Sequence, residues 1–192
     1  RVFGAQLFQP LGPGSPWYVA PTIESGASTV DLFQMERKSA RFGYKSSGLD
    51  SPIGYQLGNW GDLQVGFRRE RAEVEQTLPE IPGVVVSNLR SSEYARFRID
   101  TLDSLAFPTR GNFLNMEWER SLAENLGEKS IINSSVIAMT AFQRGDWAGH
   151  FYGEWARSQG NTAPLSLGGF LRLSGTPADS LSNKTVALGR LV

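Results

Sequence analysis

Apolar and polar residues alternate with a period of two along much of the chain, and no other feature restricts the fold as strongly. In Asp62–Glu70, Leu63, Val65 and Phe67 point one way, while Asp62, Gln64, Gly66, Arg68 and Glu70 point the other. The pattern recurs in Ser39–Ser46, Glu93–Asp100, Asn112–Glu119 and Trp147–Arg157. Successive side chains of a strand project to opposite faces, so this period specifies β-structure with two faces of unlike character. Helical periodicity is hard to find, and no apolar run reaches the roughly 18 residues that a membrane helix needs. Strands escape that limit, because a barrel strand meets lipid on one face only.

The pattern, with its Gly and Pro punctuation, predicts about nine strands. They are Val2–Gln9, Pro16–Ile23, Ser39–Leu57, Asp62–Val74, Glu93–Asp103, Gly111–Leu122, Lys129–Gln143, Trp147–Gln159 and Lys184–Val192. Several reach the nine to eleven residues that a tilted membrane strand requires. Short connections at Pro10–Ser15, Gly58–Gly61, Ser104–Arg110 and Arg144–Asp146 alternate with mostly longer polar ones at Ser25–Lys38, Glu75–Ser92, Ala123–Glu128 and Gly160–Asn183. Short turns at one end and long loops at the other suit an outer-membrane barrel better than a soluble sandwich. Gly48-Leu49-Asp50-Ser51-Pro52 interrupts the third strand, as a bulge or as a break between two strands, because proline cannot donate to a ladder.

Composition excludes several functions. Lys+Arg and Asp+Glu number 19 each, so no net field draws nucleic acid. Cysteine is absent, which removes disulfides and thiolate metal sites. The single histidine, His150, rules out His-rich zinc sites. His150 shares a strand face with Glu154, but no nucleophile is in evidence, and a structural role is expected. Arg144-Gly145-Asp146 spells an adhesion tripeptide but has the composition of a hairpin turn. Gly26–Val30 lacks the final glycine of a nucleophile elbow. The sequons at Asn133 and Asn183 carry no meaning in a bacterial outer membrane. No catalytic residue, metal ligand or cofactor is therefore expected.

Arg68, Glu70, Arg96, Arg98, Asp100, Glu117, Glu119 and Glu154 fall on polar strand faces. In a barrel they would line a hydrated lumen and pair across strands; in a soluble domain they would face solvent. Trp17, Tyr18, Trp60, Phe107, Trp118, Trp147 and Trp155 fall near strand ends or on lipid-type faces. They are the expected members of aromatic girdles, with the core of a soluble sandwich as the alternative.

Two motifs carry a family resemblance. Phe107-Pro108-Thr109-Arg110-Gly111 is a tight turn, entered from Asp100-Thr101-Leu102-Asp103 and followed by an alternating strand. It resembles the turn before a central strand in the bacterial surface antigen superfamily, which includes the barrel-assembly insertase and two-partner secretion transporters. Leu167-Gly168-Gly169-Phe170, followed by Leu171-Arg172-Leu173-Ser174-Gly175, resembles that superfamily's lumen-loop motif. Gly168 stands where the family has arginine, and Arg172 is the expected substitute. This version is most similar to barrels fused to patatin-like phospholipase domains. The resemblance implies an incomplete antiparallel transmembrane barrel, about the fourth to twelfth strands of roughly sixteen. It also implies a bacterial outer-membrane location and anchoring or translocation of a passenger.

Arg1 follows no Met and no leader, and the first residues already read as mid-strand, so a fragment is expected. Expected partners are outer-membrane lipid, the remaining strands of the barrel, an upstream periplasmic or passenger domain and a second copy of the chain. Any lipid acyl hydrolase would belong to that upstream domain. A general assembly or secretion barrel and a soluble β-sandwich binding module stand as the other classes.

Overall fold

The computed structural model describes residues 2–34, 37–78, 80–104, 106–122, 130–160, 165–167 and 181–191, all of them in strands, turns or connecting segments. The strands are β1 (Val2–Gln6), β2 (Gln9–Pro10), β3 (Trp17–Val19), β4 (Thr22–Gln34), β5 (Arg37–Gln56), β6 (Gly61–Leu78) and β7 (Glu80–Asp100). There follow β8 (Gly111–Leu122), β9 (Ile132–Arg144), β10 (Trp147–Gln159), β11 (Leu165–Leu167), β12 (Leu181–Asn183) and β13 (Thr185–Leu191).

One sheet of 11 strands dominates, in the order β1-β4-β5-β6-β7-β8-β9-β10-β13, with β2 and β3 attached beside it. Every pairing is antiparallel. The sheet is not closed into a barrel. Among the described residues, β1 and β13 each pair on one side only. From β4 to β10 the strand order follows chain order because each connection joins neighbours, the arrangement that hairpins impose.

The expected strands are present, with altered bounds. The first is split into β1 and β2 and the second into β3 and β4. The amide of Leu7 donates to Pro21 O across this interruption at 3.0 Å. The GLDSP segment neither breaks nor bulges β5, whose register with β6 runs unshifted from Phe42 to Gln56. Pro52 lies where the neighbouring strand changes from β4 to β3, and its carbonyl accepts from the Ala20 amide at 3.2 Å. Its missing N–H therefore falls at a gap in the ladder, where proline is tolerated.

The larger correction concerns two of the long connections. Ser25–Lys38 and Glu75–Ser92 are mostly strand, so β5, β6 and β7 run to 20, 18 and 21 residues. Both segments are polar enough to read as loops, yet a ladder satisfies their backbone whatever their side chains. The connection 123–128 and residues 161–164 and 168–180 of the last long loop lie outside the described residues. The remainder of that loop leaves and returns through the β11–β12 pair, Leu165↔Asn183 to Leu167↔Leu181.

Register divides the sheet into two faces. Leu63, Val65, Phe97, Met116, Trp118, Val136, Phe151 and Trp155 share one, and Asp50, Gln64, Arg68, Tyr94, Arg96, Glu117 and Glu119 share the other. Nothing among the described residues forms a second layer against the apolar face. Leu63, Val65 and Phe67 are 46%, 55% and 43% exposed there. The buried apolar side chains are instead few, chiefly Tyr18, Tyr94 and Val186. A sandwich buries its apolar faces between two sheets, and the described residues leave the apolar face of this sheet uncovered.

Candidate functional site

The charged face converges on Arg68, which strand β6 places between carboxylates from β5 and β8. Arg68 lies 3.3 Å from Asp50, 3.7 Å from Glu117 and 3.9 Å from Glu119. Arg96 on β7 holds Glu117 through two donors, Nη2 at 2.8 Å and Nε at 2.9 Å. Arg90 lies 3.2 Å from Glu119 and donates from Nε to Ser121 Oγ at 2.6 Å. Its Nη2 makes no aligned hydrogen bond, so the Arg90–Glu119 attraction is Coulombic rather than directional. These carboxylates and guanidiniums alternate in space, so each charge is largely neutralised within the face.

Tyr94 ties the cluster together. Its hydroxyl donates to Asp50 at 2.7 Å, and its ring lies beneath two guanidiniums, with Arg68 at 4.9 Å and Arg96 at 5.4 Å. The stacked rings and cations share quadrupole attraction as well as charge. Tyr94 reaches this position because Gly66, opposite it on β6, has no side chain. A Cβ there would stand 2.6 Å from the ring. An aromatic ring covering a cross-strand glycine is a known means of fixing register. Tyr18 lies over Gly54 in the same way, and its hydroxyl donates to Asp62 at 2.8 Å while accepting from Gln64 at 2.8 Å.

Arg96, Glu117 and Glu119 are thus brought together as the sequence suggests. Arg98 shares the face, opposite Asp62 in register. Asp100 ends β7, where it accepts from the Leu102 amide at 3.2 Å. Glu154 is on the same face two strands beyond β8, accepting from the Tyr152 hydroxyl at 3.0 Å. Tyr18 is a correction, because it is 5% exposed on the charged face and joins no girdle. Sequence reasoning missed Asp50, hidden in the turn-like GLDSP segment, and Arg90, hidden in a presumed loop.

The apolar face has ordered borders. Trp17 and Trp147 lie on this face toward the short-turn end, and Trp60 and Phe107 sit in the turns there, with Phe107 85% and Trp147 84% exposed. Toward the opposite end, Trp118 and Trp155 are followed on the same face by Arg120 and Arg157, and Phe67 is followed by Arg69 and Arg71.

The FPTRG turn is organised by Asp103. Its carboxylate accepts from the Thr109 hydroxyl at 2.5 Å, the Thr109 amide at 2.9 Å and the Arg110 amide at 3.2 Å. The Thr101 amide donates to Asn112 O at 2.9 Å. Gly111 has φ 103°, and a Cβ there would strike the Thr101 carbonyl, so only glycine fits. The Thr109 hydroxyl, then the Thr109 and Arg110 amides, lower the Asp103 pKa from 3.8 to about 2. A lowered folded pKa means that stabilisation is complete above the unfolded pKa and vanishes as pH falls through the folded one. Hydrogen exchange at the Thr109 and Arg110 amides is therefore expected to lose protection between about pH 4 and pH 2. Asp103→Asn should abolish that pH dependence; a pH-dependent loss persisting in the variant would assign it elsewhere.

Of the lumen-loop motif, Leu167 ends β11, while Gly168, Gly169, Phe170, Arg172, Ser174 and Gly175 lie outside the described residues. A scan against protein-family models finds no match for this chain, and a search of curated proteins finds none either.

Proposed function

We propose that this chain is a membrane-spanning part of a bacterial outer-membrane β-barrel, its apolar face against lipid and its charged face toward a hydrated lumen. The observation that carries the proposal is the opposition of the two faces of one uncovered sheet. Large exposed apolar patches mark protein or membrane contacts, and Leu63, Val65, Phe67, Met116 and Phe151 stand exposed together on one face. Its extent also suits a bilayer. On β10 it runs from Trp147 through Phe151 to Trp155, two residues before Arg157. About nine residues at ~3.3 Å give roughly 30 Å along the strand, or about 21–25 Å of height at the usual barrel tilt. Lipid cannot satisfy an open sheet edge, so β1 and β13 need partner strands in the membrane.

Within that barrel the turn and loop motifs favour an anchoring or translocating role, with the barrel of a patatin-like phospholipase as the specific form. A general assembly or secretion barrel is the second form, favoured by the turn motif alone. The intact protein, extracted from outer membranes, should migrate faster unheated than after boiling, because closed barrels resist detergent until heated. Recovery in the soluble fraction with no mobility shift would overturn the proposal.

A further inference from the structure

We propose that the apolar side of the sheet carries a binding site for the phosphorylated headgroup of an outer-leaflet glycolipid, centred on Lys45 and Arg71. The inference rests on the membrane orientation proposed above. A groove of about 490 Å³ crosses β1, β4, β5 and β6 on this face. Register places Phe3 beside Ser25, Ser25 beside Ser47, and Ser47 beside Arg71. The next row brings Ala27, Lys45 and Glu73 together. Small side chains at Ser25, Ala27 and Ser47 leave the floor low, and Phe3, 72% exposed, stands at one side.

The level of the groove decides its ligand. Immediately below it Ile23 and Leu49 are paired across β4 and β5 and exposed by 63% and 46%, with Arg69 beside Leu49 on β6. Acyl chains would lie there. The two rows of the groove carry Arg71, Lys45 and Glu73, and with Arg69 in the row below them the four side chains sum to +2. Glu75 follows two residues farther from the apolar surface. Arg71 is 61% exposed and leans 3.1 Å from Glu73, which positions its guanidinium over the groove. Aliphatic surface at Ile23 and Leu49 is succeeded along the strands by Arg69, Arg71 and Lys45 around a headgroup-sized hollow, as the acyl chains of a phosphorylated lipid are succeeded by its phosphates. Basic clusters at this depth attract anionic headgroups. The groove lies toward the long-hairpin end, which faces outward if the short turns are periplasmic.

The test uses the intact protein in zwitterionic detergent, titrated with a fluorescent bis-phosphorylated glycolipid at fixed ionic strength. Lys45→Gln with Arg71→Gln should weaken binding about thirtyfold. Glu73→Gln, which removes the competing carboxylate, should strengthen it. The heat-dependent mobility shift should persist in each variant. Unchanged affinity in the double variant, with the shift retained, would overturn the site while leaving the barrel standing. Absence of the shift in the unaltered protein would overturn the membrane orientation and the site with it.

Discussion

Arg68→Met is expected to destabilise the folded sheet by about 2–4 kcal/mol, lowering the temperature at which the compact gel form is lost. The guanidinium lies among Asp50, Glu117 and Glu119, with side chains 27%, 24%, 22% and 14% exposed in that order. Removing it leaves three carboxylates facing one another with one cation fewer. Loss of one partner from a buried ion pair costs about 3–5 kcal/mol. Residual hydration of this face reduces that figure, as it does for any exposed pair. Arg68→Lys should recover less than half of the loss, because an ammonium cannot span three carboxylates or stack on Tyr94 as a planar guanidinium does. The melting midpoint in detergent micelles, followed by circular dichroism, checks both. Equal stability of Arg68→Met and the unaltered protein would show that the cluster contributes nothing to folding.

Gly66→Val is expected to cost about 3 kcal/mol or more, despite exchanging a poor strand former for a good one. Strand propensity favours valine. The Cβ, however, would occupy the volume of the Tyr94 ring, 2.6 Å from its nearest atom. Displacing the ring removes the Tyr94–Asp50 hydrogen bond of 2.7 Å and both cation contacts. Overpacking costs typically 1–3 kcal/mol, and the lost hydrogen bond to a charged acceptor adds about 1.5–3. Tyr94→Ala combined with Gly66→Val separates the causes, because it removes the clash. If Gly66→Val is as harmful without the ring as with it, the glycine serves some purpose other than seating Tyr94.

Strand faces were legible where polar and apolar residues alternate without interruption, as in Asp62–Glu70 and Asn112–Glu119. Arg96, Glu117 and Glu119 could be assigned together for that reason. Alternation cannot say which of two adjacent aromatics faces which way, since a slip of one residue exchanges the faces. Trp17 and Tyr18 illustrate this, one exposed on the apolar face and the other buried beside Asp62. Asp50 escaped notice because Gly, Asp, Ser and Pro together signal a turn. In the fold, Pro52 falls at the gap between β3 and β4, so the turn chemistry has no turn to make. The outer part of β4, from Ser25, and the outer parts of β6 and β7, over Glu75–Ser92, were illegible for another reason. Small and polar residues such as Ser25, Gly26 and Ser28 in the first, and Pro82-Gly83 in the second, interrupt any period of two, and only hydrogen bonding between strands marks them as β-structure.

The most direct test of the two-faced membrane sheet uses neighbouring residues with opposite environments. Because the chain contains no cysteine, single substitutions Gln64→Cys, Val65→Cys, Arg96→Cys and Phe97→Cys each introduce the one thiol of this part of the protein, any cysteine elsewhere being replaced by serine. Each is spin-labelled in the intact protein in bilayers, and its collisions with oxygen and with a water-soluble nickel complex are compared. Labels at 64 and 96 should meet nickel preferentially and labels at 65 and 97 should meet oxygen, alternating residue by residue. Equal access to nickel at all four positions would contradict the account, because the apolar face would then lie in water.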